Sequence, residues 1–131
     1  DEGGRVSSKD QTAVDTYIAA LRADQRDALT SLRARLKALL PDHLEVMSYA
    51  MPGLRQPGPK GKMVIGYAAF ARHLGLYPHS GSVIPLIDCT PFKTSKSGIL
   101  FTPDHPLPDA LLHQIIATRQ AELAAGYGRI G

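Results

Sequence analysis

Apolar residues recur along three stretches of this chain at the spacing of one helical face. Ala13, Val14, Tyr17, Ile18 and Leu21 predict a helix over 10–22. Asp24 reads as the N-cap of a second helix, with Asp27 three places on in the capping-box position. Leu29, Leu32, Leu36, Leu39 and Leu40 form its buried side, and Arg26, Arg33 and Lys37 fall mostly on the solvated side. Pro41 ends it, because the residue before a proline is pushed out of the helical region. A third helix is predicted over about 108–125, with Leu111, Leu112, Ile115, Ile116 and Leu123 on one face. Pro108 suits its first turn and Gly126 its stop.

Between the second and third helices the period shortens. Leu44, Val46 and Ser48 alternate with Glu45, Met47 and Tyr49, a short strand signal. Residues 50–62 (AMPGLRQPGPKGK) are dense in Pro, Gly and Lys and read as a long turn or mobile loop. The apolar segments 63–70 (MVIGYAAF) and 72–77 (RHLGLY) are close enough to pair as a hairpin. Residues 80–90 stay open between a loop and a short helix, which Ser82 would cap and Pro85 would limit. Residues 98–102 (GILFT) read as another strand. The strands are too closely spaced for helical crossovers between them. The pattern therefore predicts an α+β fold: an antiparallel sheet of about five short strands, with N- and C-terminal helices packed on one face. No internal repeat or inter-domain linker is visible. The expected organisation is one domain over 10–125, with 1–9 a disordered leader or cloning remnant and 126–131 a flexible tail.

Composition narrows the class. The chain has 131 residues, 44% of them hydrophobic and 21% charged. A chain of this length buries roughly two thirds of its unfolded surface, enough for one core without disulfides or a structural metal. No apolar run approaches the roughly 18 residues of a membrane span, so no membrane partner is expected. The polar opening, DEGGRVSSKD, has no apolar segment of a secretory signal. A single cysteine, Cys89, has no internal partner and fits a reducing cytoplasm. No local motif activates it, so in DCTPF it reads as a small buried hydrophobe.

The net charge of +3 is unevenly placed. Residues 1–42 hold seven Lys/Arg and seven Asp/Glu, and 106–131 hold two of each. The whole excess lies in 43–105, with Arg55, Lys60, Lys62, Arg72, Lys93 and Lys96 against Glu45, Asp88 and Asp104. His43, His73, His79 and His105 lie there too. A basic middle suggests an anionic partner.

Most specific chemistry is excluded by context. The terminal Gly126-Tyr-Gly128-Arg-Ile-Gly131 spells GxGxxG, but a helix precedes it and the chain stops where a dinucleotide site needs its helix. Lys60-Gly61-Lys62 lacks the upstream glycine of a P-loop, since that position is Gln56. HExxH, CxxC and GxSxG are absent, and nothing specifies a general acid–base pair or an enzyme. Lys93-Thr94-Ser95-Lys96-Ser97-Gly98 reads either as an anion-binding nest or as a solvated turn before a strand. Tyr67, Phe70, Tyr77 and Phe92 are interleaved with the basic residues, yet the paired aromatic motifs of an RNA-recognition sheet are missing, which argues against nucleic acid.

Several blocks together resemble the bacterial YdhG-like proteins, catalogued as domain of unknown function 1801. These are Ser48-Tyr49-Ala50-Met51-Pro52, Tyr67-Ala68-Ala69-Phe70, His73-Leu74-Gly75-Leu76-Tyr77-Pro78, Lys93 to Phe101 with its Lys-Thr-Ser-Lys start, and Pro106-Leu107-Pro108. Val14-Asp15-Thr16-Tyr17-Ile18 looks like the family's first helix, so the resemblance spans about 12–123. It implies a frataxin-like fold and a non-enzymatic intracellular protein. It further implies iron delivery for iron–sulfur assembly, with assembly proteins as partners. The acidic residues of this chain are interleaved with basic ones, so any Fe(II) site is expected to be weak, with Asp42, Glu45 and His73 as its candidates. The matched blocks point instead to a pocket of Tyr49, Met51, Tyr67, Arg72, His73, Tyr77, Lys93 and Lys96. Such a pocket suits a small anionic ligand or an acidic protein partner. The oligomeric state stays open.

Overall fold

A computed structural model describes residues 8–126 of the chain, in the order α1 (Ser8–Ala19), α2 (Ala23–Leu39), β1 (Leu44–Ser48), β2 (Met51–Arg55), β3 (Met63–Ala69), β4 (Leu74–Tyr77), a 3-10 turn (Ile84–Leu86), β5 (Lys93–Thr94), β6 (Ile99–Phe101) and α3 (Asp109–Ala124). The terminal GxGxxG beyond Gly126 and the first seven residues of the expected leader lie outside the described residues. The six strands form one antiparallel sheet in the order β1-β2-β3-β4-β6-β5. The fold is α+β, as the hydrophobic pattern predicts.

The helices form where leucine and isoleucine repeat at helical spacing. Val14 and Ile18 of α1, Leu29, Leu32 and Leu36 of α2, and Leu112, Ile115 and Ile116 of α3 are all buried. They join Leu54, Ile65, Tyr67, Leu74, Leu76, Ile99 and Phe101 of the sheet in a single core. Each buried side chain of this size contributes roughly 1.5–3 kcal/mol. Pro41 follows the end of α2 as expected. At its start the N-cap is Arg22, not Asp24. Asp24 lies two residues on, within the first turn, where its carboxylate accepts from the Gln25 amide at 2.8 Å and from Arg22 Nε at 2.8 Å. An acid in the first turn is favoured by the helix dipole whether or not it is the cap.

The loop expected over 50–62 contains a strand. Tyr49 and Ala50 have φ of 54° and 62° and form a tight turn that pairs Ser48 with Met51. Pro52 is tolerated because pairing with β3 begins only at Gly53 opposite Gly66. Between β2 and β3, Gln56 closes the loop: its amide donates to Lys62 O at 2.9 Å and its side chain accepts from the Lys62 amide at 3.1 Å. Gly61 sits so close to Gln56 that a Cβ there would stand 1.9 Å from the Gln56 carbonyl oxygen, so only glycine fits.

A charged network ties α1 and α2 to the sheet. Glu45, only 4% exposed, accepts from Arg33 Nε at 2.7 Å and from Arg33 Nη2 at 2.9 Å. Arg33 Nη1 reaches Asp15 at 2.6 Å, and Lys37 approaches Glu45 at 3.5 Å. Burial pushes the Glu45 carboxyl up, but Arg33 and Lys37 outweigh it and hold the group below the usual carboxylate range. Among the described residues no helix is long and apolar enough to cross a membrane.

Candidate functional site

Two basic clefts flank β4, one at each end. The strand runs from Leu74 to Tyr77, with His73 just before it and His79 just after.

The larger cleft, about 920 Å³, opens between the β2–β3 loop, the turn after β4 and the C-terminal end of α3. Gln56, Lys60, Gly61 and Lys62 come from the loop, His79, Ser80 and Gly81 from the turn, and Arg119, Leu123 and Gly126 from α3. Lys60 and Lys62 are exposed at its rim, and Arg119 is 7% exposed. Arg119 Nη2 donates to the Met63 carbonyl at 2.7 Å, and Nη1 to Glu122 Oε1 at 3.3 Å. Ser82 Oγ donates to the other Glu122 oxygen and lies 3.1 Å from Ser80 Oγ. Arg119 Nε and His79 Nε2 are buried and have no hydrogen-bond partner among the described residues. Buried polar nitrogens are nearly always paired, so two in neighbouring side chains mark a place where the described residues do not supply the hydrogen-bond partner themselves.

His79 is held in place by the backbone around it. Its φ of 55° turns the chain out of β4. Its ring lies on Gly66 of β3, where an added Cβ would stand 2.9 Å from His79 Nε2. Burial, reinforced by the Arg119 charge, lowers the imidazole from its ordinary value and favours the neutral form. On the other side of the β2–β3 loop lies a more open cleft that shares Gln56, Lys60 and Gly61 and contains His43. His43 Nδ1 is likewise buried without a partner, and burial lowers this imidazole too, against the opposing charge of Asp42.

The smaller groove, about 420 Å³, lies at the other end of β4. Arg72, His73, Phe92, Lys93, Thr102 and His105 are among its walls. His73 packs on Phe70 with ring centroids 5.0 Å apart, and its carbonyl accepts from the Phe70 amide at 2.8 Å. The start of α2 braces this turn: Gln25 Nε2 donates to Phe70 O at 2.6 Å and Arg22 Nη1 to Ala71 O at 2.9 Å. The groove is open, with Arg72, Lys93 and His105 all exposed.

The residues expected to share one pocket are therefore divided. Arg72, His73 and Lys93 meet in the smaller groove. Tyr67, 2% exposed, belongs to the core, where burial and then the Glu45 charge raise its phenol. Tyr77 is one register position out of step with the partner of Tyr67 and so faces the opposite side of the sheet, its ring over Gly75 and Gly98. Met51 is half-buried in β2. Tyr49 stands 88% exposed on the β1–β2 turn. Lys96 is exposed on the β5–β6 turn, where the Ser95 amide donates to Gly98 O at 2.9 Å, a hairpin closure that uses an amide the nest would have needed. The proposed iron ligands do not gather: no group of three or more His, Cys, Asp or Glu among the described residues is placed to hold a metal. Glu45 is instead engaged by Arg33.

Arg119, Glu122, Lys60, Lys62 and His79 were not singled out together by the sequence. One signal was present. Arg119 and Glu122 continue the stripe of Leu112, Ile115 and Ile116 at helical spacing, so two charged residues occupy buried positions of α3. Charges on a buried stripe must be paired or functional.

The chain matches no protein-family model and no curated protein. Among solved structures it is similar to the DUF1801-family protein YdhG from Bacillus subtilis, with a TM-score of 0.77 and 16% identity. The match covers 87% of this chain and 93% of that one. It carries nothing for a frataxin-like grouping. The likeness extends over nearly the whole of both chains, and what it establishes is a shared fold.

Proposed function

We propose that this chain is a YdhG-like protein of the DUF1801 group that acts as a binding module without catalysis of its own, and that it takes a small anion in the cleft of Lys60, Lys62, His79 and Arg119. Family membership is supported by the shared fold together with the Ser-Tyr-Ala-Met-Pro and Lys-Thr-Ser-Lys blocks. The observation that carries the ligand is the wall formed by buried Arg119 and half-buried His79, each with a buried nitrogen that lacks a hydrogen-bond partner among the described residues. Lys60 and Lys62 at the rim add positive charge where an anion would enter. Ser80 and Ser82 hydrogen-bond each other and Glu122, which suits a structural role better than a nucleophilic one. The buried single cysteine, Cys89, is consistent with a cytoplasmic setting.

A thermal-shift screen of small anions tests this reading, since a ligand of the native state raises the melting temperature. An increase that is lost in Lys60→Ala/Lys62→Ala supports it; no shift with any anion overturns it. A second reading is favoured by the convergence of Arg72, His73 and Lys93: an acidic surface of a partner protein docks in the smaller groove. Iron delivery, implied by the family resemblance, is tested by anaerobic ferrous titration. Stoichiometric binding lost on substituting Asp42 or Glu45 would restore it over both.

A further inference from the structure

The smaller groove carries an arginine that the fold itself leaves unused. Arg22, Arg26, Arg33, Arg35, Arg55 and Arg119 each donate from the side chain to an acceptor of this chain. Among the described arginines Arg72 does not, and neither Arg72 nor Lys93 has an ion-pair partner among the described residues. No Asp or Glu lines the groove, and Asp104 of the Thr102–His105 turn is not among its walls.

The turn that bears Arg72 is held from the helix side. Arg22 and Gln25, at the start of α2, donate to the Ala71 and Phe70 carbonyls, and the Phe70 amide closes the turn on the His73 carbonyl. With both preceding carbonyls fixed, the free guanidinium projects from a set base. Its fork matches a carboxylate in a two-pronged contact.

Charge alone holds little here, because the cations are exposed and salt screens an isolated ion against them. The groove also offers apolar wall: Phe92 and Leu100 are half-buried and Pro91 is exposed. Phe70, 42% exposed, packs on His73 beside it. A ligand that covers these side chains as well as the cations gains from apolar burial what the open charges do not give. A nucleic-acid strand stacks on open rings, whereas of the two phenyl rings in the walls Phe101 is 5% exposed and Phe92 half-buried.

Resting on the second reading above, we infer that the smaller groove takes an extended acidic peptide of a partner protein, with an apolar side chain set between its acids. Arg72 selects the acid through its free fork, Lys93 meets a neighbouring carboxylate, and the apolar side chain covers Phe92 and Leu100. Gln25 is a positioning residue: it touches no part of the groove wall and acts by fixing the turn under Arg72.

Fluorescence anisotropy of the full chain with three end-capped, labelled peptides at matched ionic strength tests this. The probes are Glu-Asp-Leu-Phe-Asp-Glu, the same peptide with Ser-Ser in place of Leu-Phe, and Lys-Lys-Leu-Phe-Lys-Lys. The expected result is that the first binds about tenfold tighter than the second, and that the third does not bind. Arg72→Gln, at an exposed position, should weaken the first by about tenfold with the melting curve unchanged, and Arg72→Lys should restore only part of the loss. Gln25→Ala should weaken it several-fold although no charge of the groove is altered, with its melting curve as the check on folding. Equal binding of the two acidic peptides, with the same dependence on Arg72, overturns the apolar selection and leaves acidic docking standing. Binding of the lysine peptide as tight as the first, or binding that Arg72→Gln does not alter, overturns the inference. Tighter binding of oligothymidylate that is lost in Arg72→Gln gives the groove to nucleic acid, and self-association lost in Arg72→Gln gives it to a second copy of the chain; either overturns the inference. No binding of any peptide overturns both the inference and the reading it rests on.

Discussion

The two basic clefts have similar side-chain chemistry and differ in how it is held. Around half-buried His73 the charges of Arg72, on the β3–β4 turn, and Lys93, on edge strand β5, are exposed, and water screens them. Around Arg119 and His79 the guanidinium and the neutral imidazole are packed against β3, and the exposed charges of the cleft are the two rim lysines. A charge on a mobile surface side chain attracts many partners weakly. A charge fixed in a low-dielectric wall is costly to bury and is kept where its geometry matters. By that measure the larger cleft suits the small ligand proposed for it better than the smaller groove does.

The sharpest way to break the comparison is Arg119→Leu. It leaves Glu122 buried without its guanidinium and the Met63 carbonyl without its donor, which should cost about 3–5 kcal/mol in denaturant unfolding. If the variant is as stable as the parent, Arg119 is not the fixed element described here. Gly61→Ala comes next. Its Cβ collides with a backbone oxygen, which no side-chain rotation relieves, and the expected loss is about 1–3 kcal/mol with anion binding in the larger cleft weakened. Arg72 and Lys93 lie off the opposite end of β4, so binding of an acidic peptide to their groove should be unchanged in that variant.

The pH dependence is a smaller effect. His79 binds its proton less readily in the fold than in the unfolded chain, where its ordinary value is 6.5. The unfolded state therefore holds more protons as pH falls below that value, and stability drops with it. His43 acts in the same direction. An anion bound beside His79 favours its protonated form, so affinity for a small anion should rise a few-fold as pH falls from 6.5 through the lowered range of the folded imidazole, with Lys60, Lys62, Arg119 and Glu122 the other charged side chains around it. His79→Asn, which tolerates the positive φ, should flatten that affinity profile and leave the His43 share of the stability loss. A profile unchanged by His79→Asn would remove His79 from the site. Last, Lys93→Ala and Arg72→Ala should alter stability by no more than about 0.5 kcal/mol and leave the thermal shift by a small anion untouched. A loss of that shift in either would move the ligand to the smaller groove.

Reading the chain alone located the three helices and most of the strands, because leucine and isoleucine spacing is a local property that the fold did not need to override. It missed β2 because Pro52 and Gly53 have the composition of a turn, and only their pairing with β1 and β3 makes them a strand. It placed the start of α2 two residues too late, at Asp24 instead of Arg22, because a carboxylate in the first turn and one at the cap look alike in sequence.

What the sequence by itself determined is the α+β class, the buried helical faces and the concentration of positive charge in the middle of the chain. What only the tertiary structure decided is how that charge is divided. Histidines six residues apart came to lie off opposite ends of one short strand, and residues from matched blocks went to the core, the far face and exposed turns according to strand register. Arg119, more than fifty residues from Lys62, joined it because α3 folds back onto β3. Local spacing fixes which face a side chain takes. Which distant faces meet depends on packing across the whole core, and no window of sequence contains that.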